Sequence, residues 1–168
     1  MLRTKELSLG SMGCALSFLF LLTASFVPTG KLVMGFLASF VPCVLCIECK
    51  SVKTALISGI ASAILAGFML PKTGLGGVII VLYCMCMCYY PSLKAVIEKK
   101  HDLKTEWLIK EIYFIVLSVA VKLITRELGI DVFSIAAGVL ALTAYDILLS
   151  YVIGYYVKVI SPRIQKSR

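Results

Sequence analysis

Charged residues are scarce in this sequence of 168 residues: they make up 15% of the chain, with one His and one Trp. Soluble domains contain about 25% charged and about 45–50% apolar residues. Here 60% of the residues are hydrophobic, and the mean hydropathy is +0.99. A soluble domain of this length could not keep so much apolar surface away from water. The composition therefore excludes a disordered or soluble chain and predicts an integral membrane protein.

Catalytic motifs are also missing. The sequence contains no nucleophile motif, phosphate-binding loop, HExxH motif or paired-carboxylate arrangement. We therefore expect no enzymatic activity and no cofactor. The 17 Lys and Arg residues exceed the 9 Asp and Glu residues. In a membrane chain this excess indicates orientation and contact with anionic lipid, so we expect no nucleic-acid partner.

Six apolar runs approach the length of about 20 residues that a helix needs to cross a bilayer. Turn-forming Pro and Gly, or charged residues, separate them. The predicted spans are residues 9–27, 32–47, 54–70, 75–90, 107–125 and 132–160. Because the second and fourth are short, five spans is the alternative. The sequence thus predicts a single all-α domain over residues 1–168, a polytopic helix bundle.

Residues 91–106 form the one long polar connection, between the fourth and fifth predicted spans. Leu93, Val96, Ile97 and Leu103 would give a helix here a partial apolar face, with lysines on the other side. We therefore predict an amphipathic helix on the cytoplasmic surface.

The basic residues are divided unequally between the two sides of the predicted bundle. Thirteen fall on the side of the two termini and four on the other side. Basic residues favour the cytoplasmic side of a membrane. Both termini are therefore predicted to be cytoplasmic, in a multi-pass protein of the cell membrane.

Small residues recur at helical spacing in two of the spans. Gly59, Ala63 and Gly67 follow one another at intervals of four, and the first span has Ser11 and Ala15. Such stripes let helix backbones approach closely in lipid. They indicate either packing inside the bundle or, most plausibly on the first helix, contact with another membrane protein.

Seven cysteines form a second unusual feature. Cys43, Cys46 and Cys49 are spaced by three, whereas Cys84, Cys86 and Cys88 alternate with Met85 and Met87. Thiolate and thioether ligands suit Cu(I), and C-x-x-C-x-x-C is also seen among iron–sulfur ligands. Alternation puts Cys86 on the opposite helix side from Cys84 and Cys88. Free cysteines packed among helices are the competing interpretation.

Ionisable residues at membrane depth are costly and suggest function. Asp146 lies in mid-span, where it either binds a solute or braces the fifth and sixth spans, for example through Tyr113. Lys31, Lys122 and Arg126 would make the outer mouth of the bundle positive. We therefore predict that a ligand there would be a small anionic solute.

Several segments resemble a known family. The first helix runs into Phe26-Val27-Pro28-Thr29-Gly30-Lys31, the second ends in Glu48-Cys49-Lys50, and the third ends at Leu70-Pro71. Next come Tyr89-Tyr90-Pro91-Ser92-Leu93-Lys94 and Ile97-Glu98-Lys99. In layout and motifs the chain resembles the substrate-binding (S) components of energy-coupling factor transporters from Gram-positive bacteria. The stretch from Tyr89 is most similar to a group of uncharacterised Firmicute membrane proteins.

The resemblance implies a six-helix domain that captures a micronutrient at its outer face. It also implies a transmembrane coupling protein with two ATPases, contacted by the first helix near Ser11 and Ala15. A polar-poor outer half and missing vitamin-binding motifs depart from that family. The alternatives are a non-catalytic membrane scaffold that binds only proteins and lipid, and a Cys/Met protein that handles metal.

Overall fold

The computed structural model describes residues 4–27, 30–49, 51–71, 74–100, 103–125 and 132–162. In these ranges the chain is almost entirely helical and contains no strand, which confirms the all-α prediction. The α-helices are α1 Thr4–Phe26, α2 Lys31–Cys49, α3 Val52–Met69, α4 Gly74–Leu82, α5 Tyr90–Lys100, α6 Leu103–Thr125 and α7 Val132–Tyr155. A π-helix, Tyr83–Met87, connects α4 to α5, and a second one, Tyr156–Ile160, extends α7.

Five helices in the described ranges are long and apolar enough to cross a membrane. They are Thr4–Phe26, Lys31–Cys49, Val52–Met69, Gly77–Ile97 and Ile135–Ile160. The short second and fourth spans are both included, because each helix is longer than the apolar run that predicts it. The helix outside this group is α6, whose apolar stretch carries Lys110, Glu111 and Lys122.

The fourth span differs most from its prediction. Its helix continues past residue 90 as α5, where a separate surface helix over 91–106 was predicted. Ser92 and Lys94 are buried, at 2% and 3% exposure, whereas Leu93 and Val96 are exposed. The lysines lower the hydropathy of this stretch, but part of α5 packs against α2 and α3. Of the predicted apolar face, Leu93 and Val96 thus lie outside, whereas Ile97 is buried.

The chain divides into two compact units, Met1–His101 and Asp102–Arg168. In the first unit the helices alternate in direction. A Cβ on Gly13 of α1 would overlap the Leu45 side chain of α2, and a Cβ on Gly10 would lie 3.2 Å from the Thr54 methyl of α3. The start of α1, the end of α2 and the start of α3 therefore lie at the same end.

Glycines allow the close approaches inside this unit. A Cβ on Gly59 of α3 would overlap the carbonyl oxygen of Cys88, and one on Gly35 of α2 would lie 2.7 Å from Ile79. Gly30, just before α2, has φ of +81°, a conformation that other residues rarely adopt. The chain can therefore turn sharply into α2 at this position.

The second unit is built on α6 and α7, which pack against each other as an antiparallel pair. Lys110 is paired with Asp146, and Gly138 packs against Ser118, so positions later in α6 meet positions earlier in α7. A Cβ on Gly138 would lie 3.0 Å from Ser118 Oγ. This close packing brings the charged side chains of the two helices together.

Candidate functional site

A cluster of ionisable side chains connects α6 to α7. Lys110 Nζ donates to Asp146 Oδ2 at 3.4 Å and forms a second ion pair with Glu106, one turn earlier in α6. The Lys110 side chain is 9% exposed, and both carboxylate side chains are 15% exposed. One ammonium group is therefore shared between two carboxylates in a largely buried position.

A second polar contact lies next to this cluster. Thr143 Oγ1 of α7 donates a hydrogen bond to Glu111 Oε1 of α6 at 3.2 Å. On α7, Thr143 lies almost one turn before Asp146, and on α6 Glu111 directly follows Lys110. The two contacts are therefore neighbours. In the described part of α6 and α7, three carboxylates and one ammonium group thus lie close together.

The charge balance of the cluster decides what it can bind. Among the described ion pairs, one ammonium group, that of Lys110, faces two carboxylates, those of Glu106 and Asp146. In a medium of low dielectric constant, such an excess attracts a proton or a cationic group strongly. The Lys110–Asp146 distance of 3.4 Å exceeds the usual range for a good hydrogen bond. Lys110 therefore lies closer to Glu106 than to Asp146.

The predicted solute site is only partly within the described residues. Asp146 pairs with Lys110, whereas Lys122 follows Lys110 by twelve residues, about 18 Å along the helix axis. Lys122 is buried, and its Nζ has no hydrogen-bond partner in the described part of the chain. Lys31 begins α2 in the first unit, and Arg126 lies outside the described residues. The structure does not bring Lys122 to Asp146.

The partners of Asp146 are the residues that sequence reasoning missed. From the sequence, Lys110, Glu111 and Glu106 were given no role in a binding site. One signal was available: Glu106 and Lys110 are four residues apart, a spacing that puts opposite charges on one helix face. No sequence pattern could show that Asp146 faces the same pair.

The cysteines are free thiols. Cys84 Sγ donates to the Ala63 carbonyl at 3.1 Å, and Cys43 and Cys88 donate to carbonyls one turn earlier. Cys46 Sγ lies 3.8 Å from Ser92 Oγ, and Cys49 ends α2. Among the described residues no group of three or more His, Cys, Asp or Glu could hold a metal ion.

The two small-residue stripes have different surroundings. On α3, Gly59 packs against Cys88, Ala63 accepts the Cys84 hydrogen bond, and Gly67 lies 3.8 Å from Cys84 Sγ. That stripe faces the π-helical part of the fourth span, so it serves internal packing. On α1, Ser11 and Ala15 line a groove of about 520 Å³ against α3. A comparison with known proteins found no matching family model, no curated relative and no similar solved structure.

Proposed function

We propose that this chain is a non-catalytic membrane transport subunit that takes up a small solute, with the α6–α7 cluster as its solute-responsive element. The observation that carries the proposal is Lys110 held between Glu106 and Asp146 on two helices of a membrane protein. Ionisable groups at such positions mark ion and substrate pathways in many transporters. We place the protein in the cell membrane with both termini in the cytoplasm.

The charge of the cluster favours a solute with a positively charged group. An ammonium group could take the place of Lys110 beside Asp146, or join it and neutralise the excess negative charge. An anionic solute, as the basic residues Lys31, Lys122 and Arg126 suggest, would be repelled at Asp146. The proposed solute is therefore a cation or a zwitterion whose positively charged end enters the α6–α7 cluster.

The test compares Asp146→Asn with the unchanged protein. The amide preserves size and hydrogen-bonding capacity but removes the charge. We expect the melting temperature without solute to stay close to that of the original protein. Thermal stabilisation by an amine-bearing solute, found in a screen of small amines, amino acids and cationic vitamins, should fall. A screen of anionic vitamins in parallel tests the alternative charge.

Glu111→Gln is the matched control, because it removes a neighbouring carboxylate charge that contacts Thr143 instead of Lys110. It should leave the stabilisation by solute largely intact. A large loss of melting temperature in Asp146→Asn without solute would show a bracing role and contradict the proposal. Stabilisation by anionic vitamins alone would contradict the proposed charge of the solute.

Energy coupling would come from other proteins. The resemblance to S components supports a transmembrane coupling protein with two ATPases as partners. Purification from native membranes should recover these partners. The scaffold alternative instead expects binding of another protein without any effect of a solute.

A further inference from the structure

Two buried polar side chains of α6 lie outside the cluster around Lys110. Ser118 and Lys122 are 6% and 8% exposed and lie one helical turn apart, so they share one face of α6. Among the residues that the structure describes, neither Ser118 Oγ nor Lys122 Nζ has a hydrogen-bond partner. An ammonium group buried without a counter-charge is costly, and so is a buried hydroxyl without a partner. A single negatively charged acceptor beside both groups would remove both costs.

The register of α6 on α7 determines what lies opposite Lys122. Lys110 pairs with Asp146. Eight residues later in α6, Ser118 packs against Gly138, which lies eight residues earlier in α7. One further turn along α6 therefore places Lys122 opposite the first turn of α7.

The first turn of α7 attracts negative charge. This helix begins at Val132 and has 24 residues. The first four amide groups of a helix have no acceptor within it, and they carry the positive end of the helix dipole. Helix N-termini therefore bind anions. The unpartnered groups of Lys122 and Ser118 add a positive charge and a hydrogen-bond donor at the same end of the α6–α7 pair.

The packing and the charge limit the kind of anion. A Cβ on Gly138 would lie only 3.0 Å from Ser118 Oγ, so the two helices are in close contact beside this hydroxyl. Helices this close exclude a bulky organic acid from the space between them. One ammonium group balances one negative charge, so a doubly charged anion would leave a charge buried without compensation. Both features select a small monovalent anion.

We propose that Ser118, Lys122 and the first turn of α7 bind one monovalent anion of the size of chloride. The Lys122 ammonium group and the Ser118 hydroxyl donate hydrogen bonds to the ion, and the start of α7 stabilises its charge. This site is separate from the proposed solute site, because Lys122 follows Lys110 by twelve residues, about 18 Å along the helix axis. The anion site therefore does not depend on the proposed transport function.

Equilibrium dialysis of the whole chain in detergent, with radioactive chloride as the probe, tests the site. Gluconate replaces chloride at constant ionic strength, so that general salt effects stay the same. The protein should bind one chloride per chain in a saturable manner. Nitrate, also small and monovalent, should displace the chloride, whereas sulfate should displace it poorly. Displacement by sulfate as efficient as that by nitrate would contradict a monovalent site.

Two substitutions locate the binding. Lys122→Gln should lose the saturable binding. Ser118→Ala should raise the dissociation constant for chloride about tenfold, because it removes a hydrogen bond to a charged group. Since Ser118→Ala retains the charge and removes one hydroxyl, it keeps the test decisive if Lys122→Gln does not fold.

Lys53→Gln is the matched control, because it removes the same charge from an exposed position on α3. It should bind chloride as the original protein does. Equal binding by the original protein, Lys122→Gln and Ser118→Ala would overturn the site. A complete lack of saturable binding in the original protein would also overturn it, and would mean that the chain itself neutralises Lys122. Neither result would change the response of Asp146→Asn to amine-bearing solutes.

Discussion

Single glycines set the distances between helices in the first unit. At Gly59 the obstacle to a side chain is the backbone carbonyl of Cys88, which can move only with its whole helix. At Gly154, near the end of α7, a Cβ would meet nothing within 4 Å. Replacement of either glycine by alanine adds the same methyl group, to a crowded position in one helix and to an open position in the other.

Gly59→Ala should lower the free energy of unfolding by about 1–3 kcal/mol, the usual cost of overpacking. Gly154→Ala should be neutral or stabilise the protein by up to about 1 kcal/mol, because alanine is the better helix former. Thermal or denaturant unfolding in detergent micelles measures both. Equal effects of the two substitutions would show that α3 does not approach the Cys88 backbone this closely.

Among the elements, the π-helix at Tyr83–Met87 explains why part of the fold was not predictable. Its Tyr83 hydroxyl shares a 2.7 Å hydrogen bond with Ser62 Oγ of α3, and the Cys88 amide donates to the Tyr83 carbonyl five residues earlier. A π-turn adds a residue and rotates everything after it relative to an unbroken α-helix. The residues after this π-turn therefore cannot be assigned to a face of the fourth span by continuing a period of 3.6 residues from α4.

The packing of α5 on α2 can be tested by a disulfide. Ser92→Cys should form a disulfide with Cys46 on mild oxidation, because the present Sγ–Oγ distance is 3.8 Å. The experiment uses a chain in which the other cysteines are replaced by alanine, and mass spectrometry of proteolytic fragments detects the bond. Leu93→Cys, exposed on the adjacent position, should remain reduced. Bond formation at 93 instead of 92 would support the predicted surface helix.

The charged site was predictable only in part. Asp146 stood out because a lone carboxylate interrupts an apolar run, and hydropathy detects such interruptions. Lys110 and Glu106 did not stand out in the sequence, because they lie near the start of their helix. Hydropathy also contains no information on contacts with α7. The same limit applies to the small-residue stripes, where spacing identifies close packing but not the partner.

For the whole molecule, the number of membrane crossings depends on α6, the long helix outside the five candidate spans among the described residues. The distribution of basic residues predicts both termini on the same side, which requires an even number of crossings, whereas five of the described helices qualify by length and hydropathy. The alternating directions of α1 to α3 put exposed Lys53 at the end opposite to Lys31. These two positions can serve as internal references for sidedness.

We expect a reporter fused to the C-terminus to lie on the same side as position 53. Impermeant thiol reagents should label Lys31→Cys from outside the cell and Lys53→Cys only after permeabilisation, in a cysteine-free chain. The positive-inside bias provides the physical reason. A C-terminal reporter on the side of position 31 would mean that α6 does not cross and that the protein has five spans.

The ion pair between α6 and α7 also constrains how the protein is made. Asp146 follows Lys110 by 36 residues in the sequence, so α6 is synthesised before this partner. A helix with Lys110 and Glu111 in its apolar stretch enters lipid poorly alone, since each charge at membrane depth costs several kcal/mol. Paired with α7, it can enter as a hairpin with those charges turned inward. Biogenesis of the second unit is therefore expected to wait for α7, and a nascent chain ending at residue 125 should leave its last helix outside the bilayer.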